Sequence, residues 1–147
     1  MILCADDYGQ NQAISDGILN LIQARKINSV SCLVTSSCWK ERAPHLKPFL
    51  QNIEIGLHLT LTEPKPVLLP SRSLKALAMS CYLKQLNKKD LIREIGAQMS
   101  LFKEAMGKFP DYVDGHEFCH HFPTVREALM EAAEEFQFKK NQIYIRV

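Results

Sequence analysis

The sequence has no long apolar run, no block of basic residues and no CxxC pair. A membrane-spanning helix needs about 20 consecutive apolar residues, so no membrane partner is expected. The first residues lack the basic and apolar regions of a signal peptide, which favours a cytoplasmic protein. With 18 basic against 16 acidic residues, the chain offers no strongly basic surface, and nucleic acid is not an expected partner.

What is present is the composition of a globular domain. The 147 residues are 46% apolar and 23% charged, which fits one folded domain over residues 1–147. The cysteines are odd in number, five in all, and they show no disulfide or zinc-ribbon spacing. They are therefore expected to be reduced thiols, most of them serving as small buried apolar residues.

Apolar and β-branched runs alternate with amphipathic stretches along the chain. The runs predict strands over residues 1–5, 29–35, 53–61, 111–115 and 142–147. Helical spacing predicts helices from Asn11 to about residue 22, over 39–50, over 90–106, and from an N-cap at Thr124 to about Phe138. Glu127 would close a capping box with Thr124. The proline-rich segment 62–73 is predicted to be a loop.

This alternation predicts an α/β fold made of parallel β/α units. About five strands would form an incomplete (β/α) barrel or an open sheet, and the chain is expected to be the N-terminal part of a longer domain. The fifth predicted strand, residues 142–147, would leave an apolar edge free. Because free edges pair readily, a homo-oligomer is expected.

Residues capable of chemistry fall at or just after the carboxyl ends of the predicted strands. They are the pair Asp6-Asp7, His58, the cluster 114–121 with Asp114, His116, His120 and His121, and Arg146. Loops converge at that edge of parallel β/α folds, and ligands bind there. Residues distant in sequence are thus predicted to meet in one site.

Each signal also has a simpler explanation. Asp6-Asp7 precedes Tyr8-Gly9 and could form a turn or cap the next helix. His58 lies between leucines and could be a hydrogen-bonded core residue. Two imidazoles with one carboxylate are, however, a common catalytic metal set. Their joint occurrence at three strand ends favours a metal site.

The motifs Ala5-Asp6-Asp7-Tyr8-Gly9, then 55–63 (IGLHLTLTE), then Asp114-Gly115-His116 with His120 and Pro123 resemble those of the YdjC-like carbohydrate deacetylases, which include chitooligosaccharide deacetylase. The resemblance covers the whole chain in order. It implies a deformed (β/α) barrel and a metal-dependent hydrolase that removes acetyl groups from N-acetylated sugars.

Carried over by position, the resemblance implies that Asp7, His58 and His116 are the metal ligands. It implies that Asp6 is the general base and that Arg146 orients Asp6. The metal would be Mg²⁺ by resemblance, although two imidazoles suit Zn²⁺ on chemical grounds. Tyr8, Glu63, His120 and His121 are candidates for the substrate side of the site.

Two departures from the family pattern affect this interpretation. Phe118 stands where the family usually has a further His. The family also continues beyond the matched part, with a His-Pro motif whose His is implied to be the general acid. The chain alone is therefore expected to be a poor catalyst. The alternative is a degenerate or truncated domain that binds metal or sugar without catalysis.

Overall fold

The computed structural model describes residues 1–147. It contains one sheet of five parallel strands in the order β1-β2-β3-β4-β5. The strands are β1 Cys4–Tyr8, β2 Ser29–Cys32, β3 Glu54–Leu59, β4 Tyr112–Gly115 and β5 Tyr144–Ile145. All five correspond to predicted strands, so the α/β prediction with about five parallel strands is confirmed.

Five α-helices and two 3₁₀ helices connect the strands. The α-helices are α1 Gln12–Gln23, α2 Trp39–Arg42, α3 Leu74–Tyr82, α4 Lys88–Met106 and α5 Pro123–Glu135. The 3₁₀ helices are Ala43–Phe49 and His116–His121, the second of which is kinked by left-handed residues at positions 117 and 118. The predicted helix over 39–50 contains prolines at positions 44 and 48, and the segment that holds them, Ala43–Phe49, takes 3₁₀ geometry.

Three local predictions are corrected by the structure. The first strand covers Asp6 and Asp7 instead of ending before them. Helix α3 follows the predicted loop and was not anticipated. Thr124 is not the N-cap of α5: the cap residue is Phe122, and Thr124 lies inside the helix. Its hydroxyl donates to the carbonyl of Cys81, so no capping box forms.

The sheet has one apolar face and one polar face. The side chains on one face of the sheet are apolar and fully buried in the hydrophobic core, as at Val30, Ile55, Leu57 and Val113. The alternate positions are polar, because successive side chains on a strand point to opposite sides. They are Cys4, Asp6, Ser29, Ser31, Glu54, His58, Tyr112, Asp114, Tyr144 and Arg146.

A close approach on the polar face depends on glycine. A Cβ atom on Gly56 would lie 2.2 Å from the Tyr112 ring, so only glycine lets the ring lie flat across β3. The Tyr112 hydroxyl accepts a hydrogen bond from Ser29 at 2.8 Å. The Tyr112 side chain is fully buried on the polar face.

The strand order distinguishes the two common parallel architectures. A doubly wound sheet reverses its strand order at a switch point, whereas a (β/α) barrel adds each strand beside the preceding one. The five strands follow the second pattern without a reversal.

No helix combines the length and apolar character that crossing a bilayer requires.

Candidate metal centre

Strand β1 brings two adjacent carboxylates to the polar edge of the sheet. Neighbouring strand residues ordinarily point to opposite faces. Asp7, however, has φ of 68°, and the pairing of β1 with β2 shifts register between Ala5 and Tyr8. This irregularity breaks the alternation, and both Asp6 and Asp7 line the same cavity. A left-handed residue other than glycine costs about 1–3 kcal/mol, and such residues cluster at functional sites.

Three potential ligand atoms face one another at this edge. Asp7 Oδ1 lies 2.9 Å from His116 Nδ1 and 3.4 Å from His58 Nε2. All three atoms lie within 4.8 Å of one another. The three residues come from β1, β3 and the residue directly after β4, as the strand-end argument predicted.

Asp114 joins this group to the rest of the polar face. It is 2% exposed. Its Oδ1 accepts from His58 Nδ1 and from the Ser31 hydroxyl, each at 2.6 Å. Its Oδ2 accepts from Arg146 Nε at 2.6 Å. Because the carboxylate occupies His58 Nδ1, the other ring nitrogen of His58 is directed at Asp7.

Arg146 links Asp114 to Asp6. Its Nη2 donates to Asp6 Oδ1 at 2.6 Å. A second, longer contact to the same oxygen comes from the Cys4 thiol at 3.4 Å. Both contacts are made by Oδ1.

The charged groups at the site shift one another's pKa values. The facing imidazoles of His116 and His58 hold the pKa of Asp7 well below its usual range. Burial opposes the charged form of His58, but its contacts with Asp114 and Asp7 outweigh burial and raise the pKa of His58 to about 9. Burial also opposes ionisation of Asp114, yet its partners, led by His58, lower the pKa of Asp114.

The ligand set that fits a cation is Asp7, His58 and His116. Asp7 Oδ1 is buried and makes no hydrogen bond of acceptable geometry, although two imidazole nitrogens face it. A second group, Asp6, His58 and Asp114, is similarly compact. Its atoms, however, are already bound to Arg146, Ser31 and one another. The first group alone leaves a buried ligand atom unsatisfied.

The centre lies in a cavity of about 350 Å³. Its lining residues are Asp6, Asp7, His58, Asp114, Gly115, His116, Glu117, Phe118, His120, His121, Arg146 and Val147. A larger cavity, about 470 Å³, lies beside Trp39 and Lys65 and contains none of these residues. Chemistry, more than size, distinguishes the first cavity.

Of the four candidates for the substrate side, two line the cavity and two do not. His120 and His121 line the cavity. Tyr8 is fully buried, and its hydroxyl donates to the carbonyl of Arg42 at 2.8 Å, so it does not reach the cavity. Glu63 bonds to the Ser71 hydroxyl in the loop after β3 and is also outside the cavity.

Sequence reasoning did not identify the role of two residues at the centre. The sequence marks Asp114 only as one acid of the 114–121 cluster, and it predicts for Ser31 only a place in a strand. The signal for Ser31 is the alternation in residues 29–32 (SVSC). It places two hydroxyls on the face opposite Val30 and Cys32.

Comparisons with known proteins identify related sequences. The family model described as YdjC-like protein matches residues 1–147. A carbohydrate deacetylase of Danio rerio is 28% identical over 92% of this chain and 47% of its own length. A chitooligosaccharide deacetylase of Proteus mirabilis is 30% identical over 92% of this chain and 55% of its own. The chain thus spans about half the length of these relatives.

A solved structure supports the architecture. The crystal structure of an Enterococcus faecalis protein, named for cellobiose-phosphate cleavage, superposes with a TM-score of 0.75 at 24% identity. The match covers 99% of this chain and 57% of that protein, and at this identity it bears on the fold alone. The family-model match spans every residue from 1 to 147, and the chain therefore belongs to the YdjC-like protein family.

Proposed function

We propose that this chain forms the metal-binding part of a deacetylase that hydrolyses the acetamide of N-acetylated sugars. One observation carries the proposal: Asp7 Oδ1, His58 Nε2 and His116 Nδ1 converge beside a second carboxylate, Asp6, that an arginine holds in place. Relatives named carbohydrate deacetylase and chitooligosaccharide deacetylase supply the substrate class.

The donor set suits a divalent cation. Two imidazoles and a carboxylate are a common set for catalytic zinc, whereas the family resemblance implies Mg²⁺, which prefers oxygen ligands. Bound there, the ion would lower the pKa of a water molecule and polarise the acetamide carbonyl. Asp114 would hold His58 with Nδ1 protonated, so that Nε2 is the nitrogen available to the metal.

Asp6 is the residue we assign as general base. Arg146 binds Oδ1 at 2.6 Å, which orients the carboxylate, and Asp6 lines the cavity. There Asp6 accepts the proton of the attacking water. Arg146 also keeps Asp6 and Asp114 at a fixed spacing, because the same guanidinium binds both. On the substrate side we place His120 and His121, which line the same cavity.

The test separates metal binding from catalysis. The protein is titrated with Zn²⁺ and with Mg²⁺, and acetate release from N-acetylglucosamine oligomers is measured on the same samples. We expect one bound ion per chain and metal-dependent acetate release. Asp6→Asn should keep the metal affinity and lower acetate release at least ~10²-fold, because only the base is lost. Equal loss of metal binding in Asp6→Asn would contradict the assignment of the two aspartates.

A further inference from the structure

An exposed aromatic side chain stands at the rim of the metal cavity. Phe118 is 73% exposed, whereas the other six phenylalanines of the chain are buried or half-buried. Exposure of a large apolar side chain forgoes about 1.5–3 kcal/mol of burial. Phe118 lines the same cavity as Asp6, Asp7 and His116, so its ring lies beside the reaction centre.

The backbone holds Phe118 in an uncommon conformation. Glu117 and Phe118 are consecutive non-glycine residues with φ of 52° and 56°. Each left-handed residue costs about 1–3 kcal/mol. The next residues, Cys119 and His120, return to the interior. The strained pair therefore turns one ring outward while its neighbours remain packed.

The Phe118 ring is the outermost of three aromatic rings that lie in a row along the cavity. The ring centroids of Phe118 and His121 are 6.2 Å apart, and those of His121 and His120 are 4.0 Å apart. The row therefore begins at an exposed apolar surface and ends at a buried imidazole.

His120, at the inner end of this row of rings, has no hydrogen-bond partner for its ring nitrogens. It is 5% exposed, and neither ring nitrogen has a hydrogen bond. Leaving a buried polar group unpaired costs about 1–3 kcal/mol. Gly115 makes room for the ring, since a Cβ there would lie 2.6 Å from His120 Nδ1. Burial lowers the pKa of His120, and a neutral imidazole offers one donor and one acceptor.

We propose that Phe118, His121 and His120 form a subsite for a second sugar ring, next to the N-acetylated sugar at the metal centre. The apolar face of a pyranose ring stacks on Phe118, and a ring hydroxyl, which both donates and accepts, pairs with His120. The subsite favours oligosaccharides over a monosaccharide. It rests on the proposed function for the identity of the ligand.

The test compares a monosaccharide with an oligosaccharide. Binding of N-acetylglucosamine and of its β-1,4-linked trimer is measured by calorimetry in the metal-loaded chain. Phe118→Ala should weaken trimer binding about tenfold and leave monosaccharide binding unchanged, whereas Phe118→Trp should retain trimer affinity. Tyr82→Ala is the matched control: Tyr82 is also exposed, at 67%, but lies on α3 outside the cavity.

Several outcomes would overturn the subsite. Equal trimer affinity in the wild type and Phe118→Ala would do so, as would equal losses in Phe118→Ala and Tyr82→Ala. If the wild type binds neither sugar, the subsite is also wrong.

The proposed function is judged separately, by metal binding and acetate release. Metal affinity measured in each variant shows that the centre is intact, and the NMR signals of the His120 ring should shift on trimer binding.

Discussion

Replacing Asp114 by Asn should change how the stability of the metal-free chain depends on pH. In the wild type, contacts that include Asp114 raise the pKa of His58 to about 9, against about 6.5 in an unfolded chain. The folded state therefore holds one more proton than the unfolded state between these two values. The resulting stabilisation is fully present below pH 6.5 and is lost as the pH rises through 9.

The size of the effect follows from linkage. Where the folded chain holds one extra proton, the free energy of unfolding falls by about 1.4 kcal/mol per pH unit. Between pH 6.5 and 8.5 the fall should total about 2 kcal/mol, because protonation is incomplete at both ends of the window. Asp114 supplies the shortest contact to His58, at 2.6 Å. The Asn variant should therefore lose most of this slope.

Urea unfolding at a series of pH values measures the difference directly. Asp114→Asn should also be less stable at pH 6.5 by about 1–3 kcal/mol. The neutral amide no longer offers His58 and Arg146 a charged hydrogen-bond acceptor in a buried site. Ser31→Ala is the matched control: it removes one bond to Asp114 but leaves the carboxylate charge. It should keep the pH slope. A wild-type stability that is flat from pH 6.5 to 8.5, or an equal slope in Asp114→Asn, would refute this account.

Three further predictions concern the metal and the sheet. His116→Ala should abolish stoichiometric metal binding in calorimetry, because two ligands remain; retained affinity would contradict the ligand set. Metal binding at pH 7 should release about one proton, since His58 must give up its Nε2 proton; heats that do not vary with the ionisation enthalpy of the buffer would contradict this. Gly56→Ala should lower the free energy of unfolding by about 1–3 kcal/mol, because its Cβ would meet the Tyr112 ring. An unchanged urea midpoint would refute that last prediction.

The strands and the ligand residues were predictable because they depend on local patterns. Short β-branched and apolar runs such as 29–35 and 53–61 are distinctive, and parallel strands bring their carboxyl ends to one edge. That rule predicts that Asp6, Asp7, His58, the 114–121 cluster and Arg146 meet at one edge, and the family resemblance implies which of them are ligands: Asp7, His58 and His116. The family resemblance then divided the roles between Asp6 and Asp7.

The remaining features depend on tertiary contacts that no local pattern encodes. The side chain of Thr124 bonds to Cys81, 43 positions away, so its capping signal was overridden. Tyr8 is a substrate-side candidate in the sequence, yet β1 shifts register before it and its side chain is fully buried in the core. Asp114 acquires its role only through its contacts with His58 and Arg146.

The most direct test of the metal centre is a crystal structure of the chain grown with Zn²⁺, with the ion located by its anomalous scattering. The account predicts one strong peak bonded to Asp7 Oδ1, His58 Nε2 and His116 Nδ1 at about 2.0–2.2 Å, with Asp6 still bound to Arg146. A peak between Asp6 and Asp114, or no peak in this cavity, would contradict it.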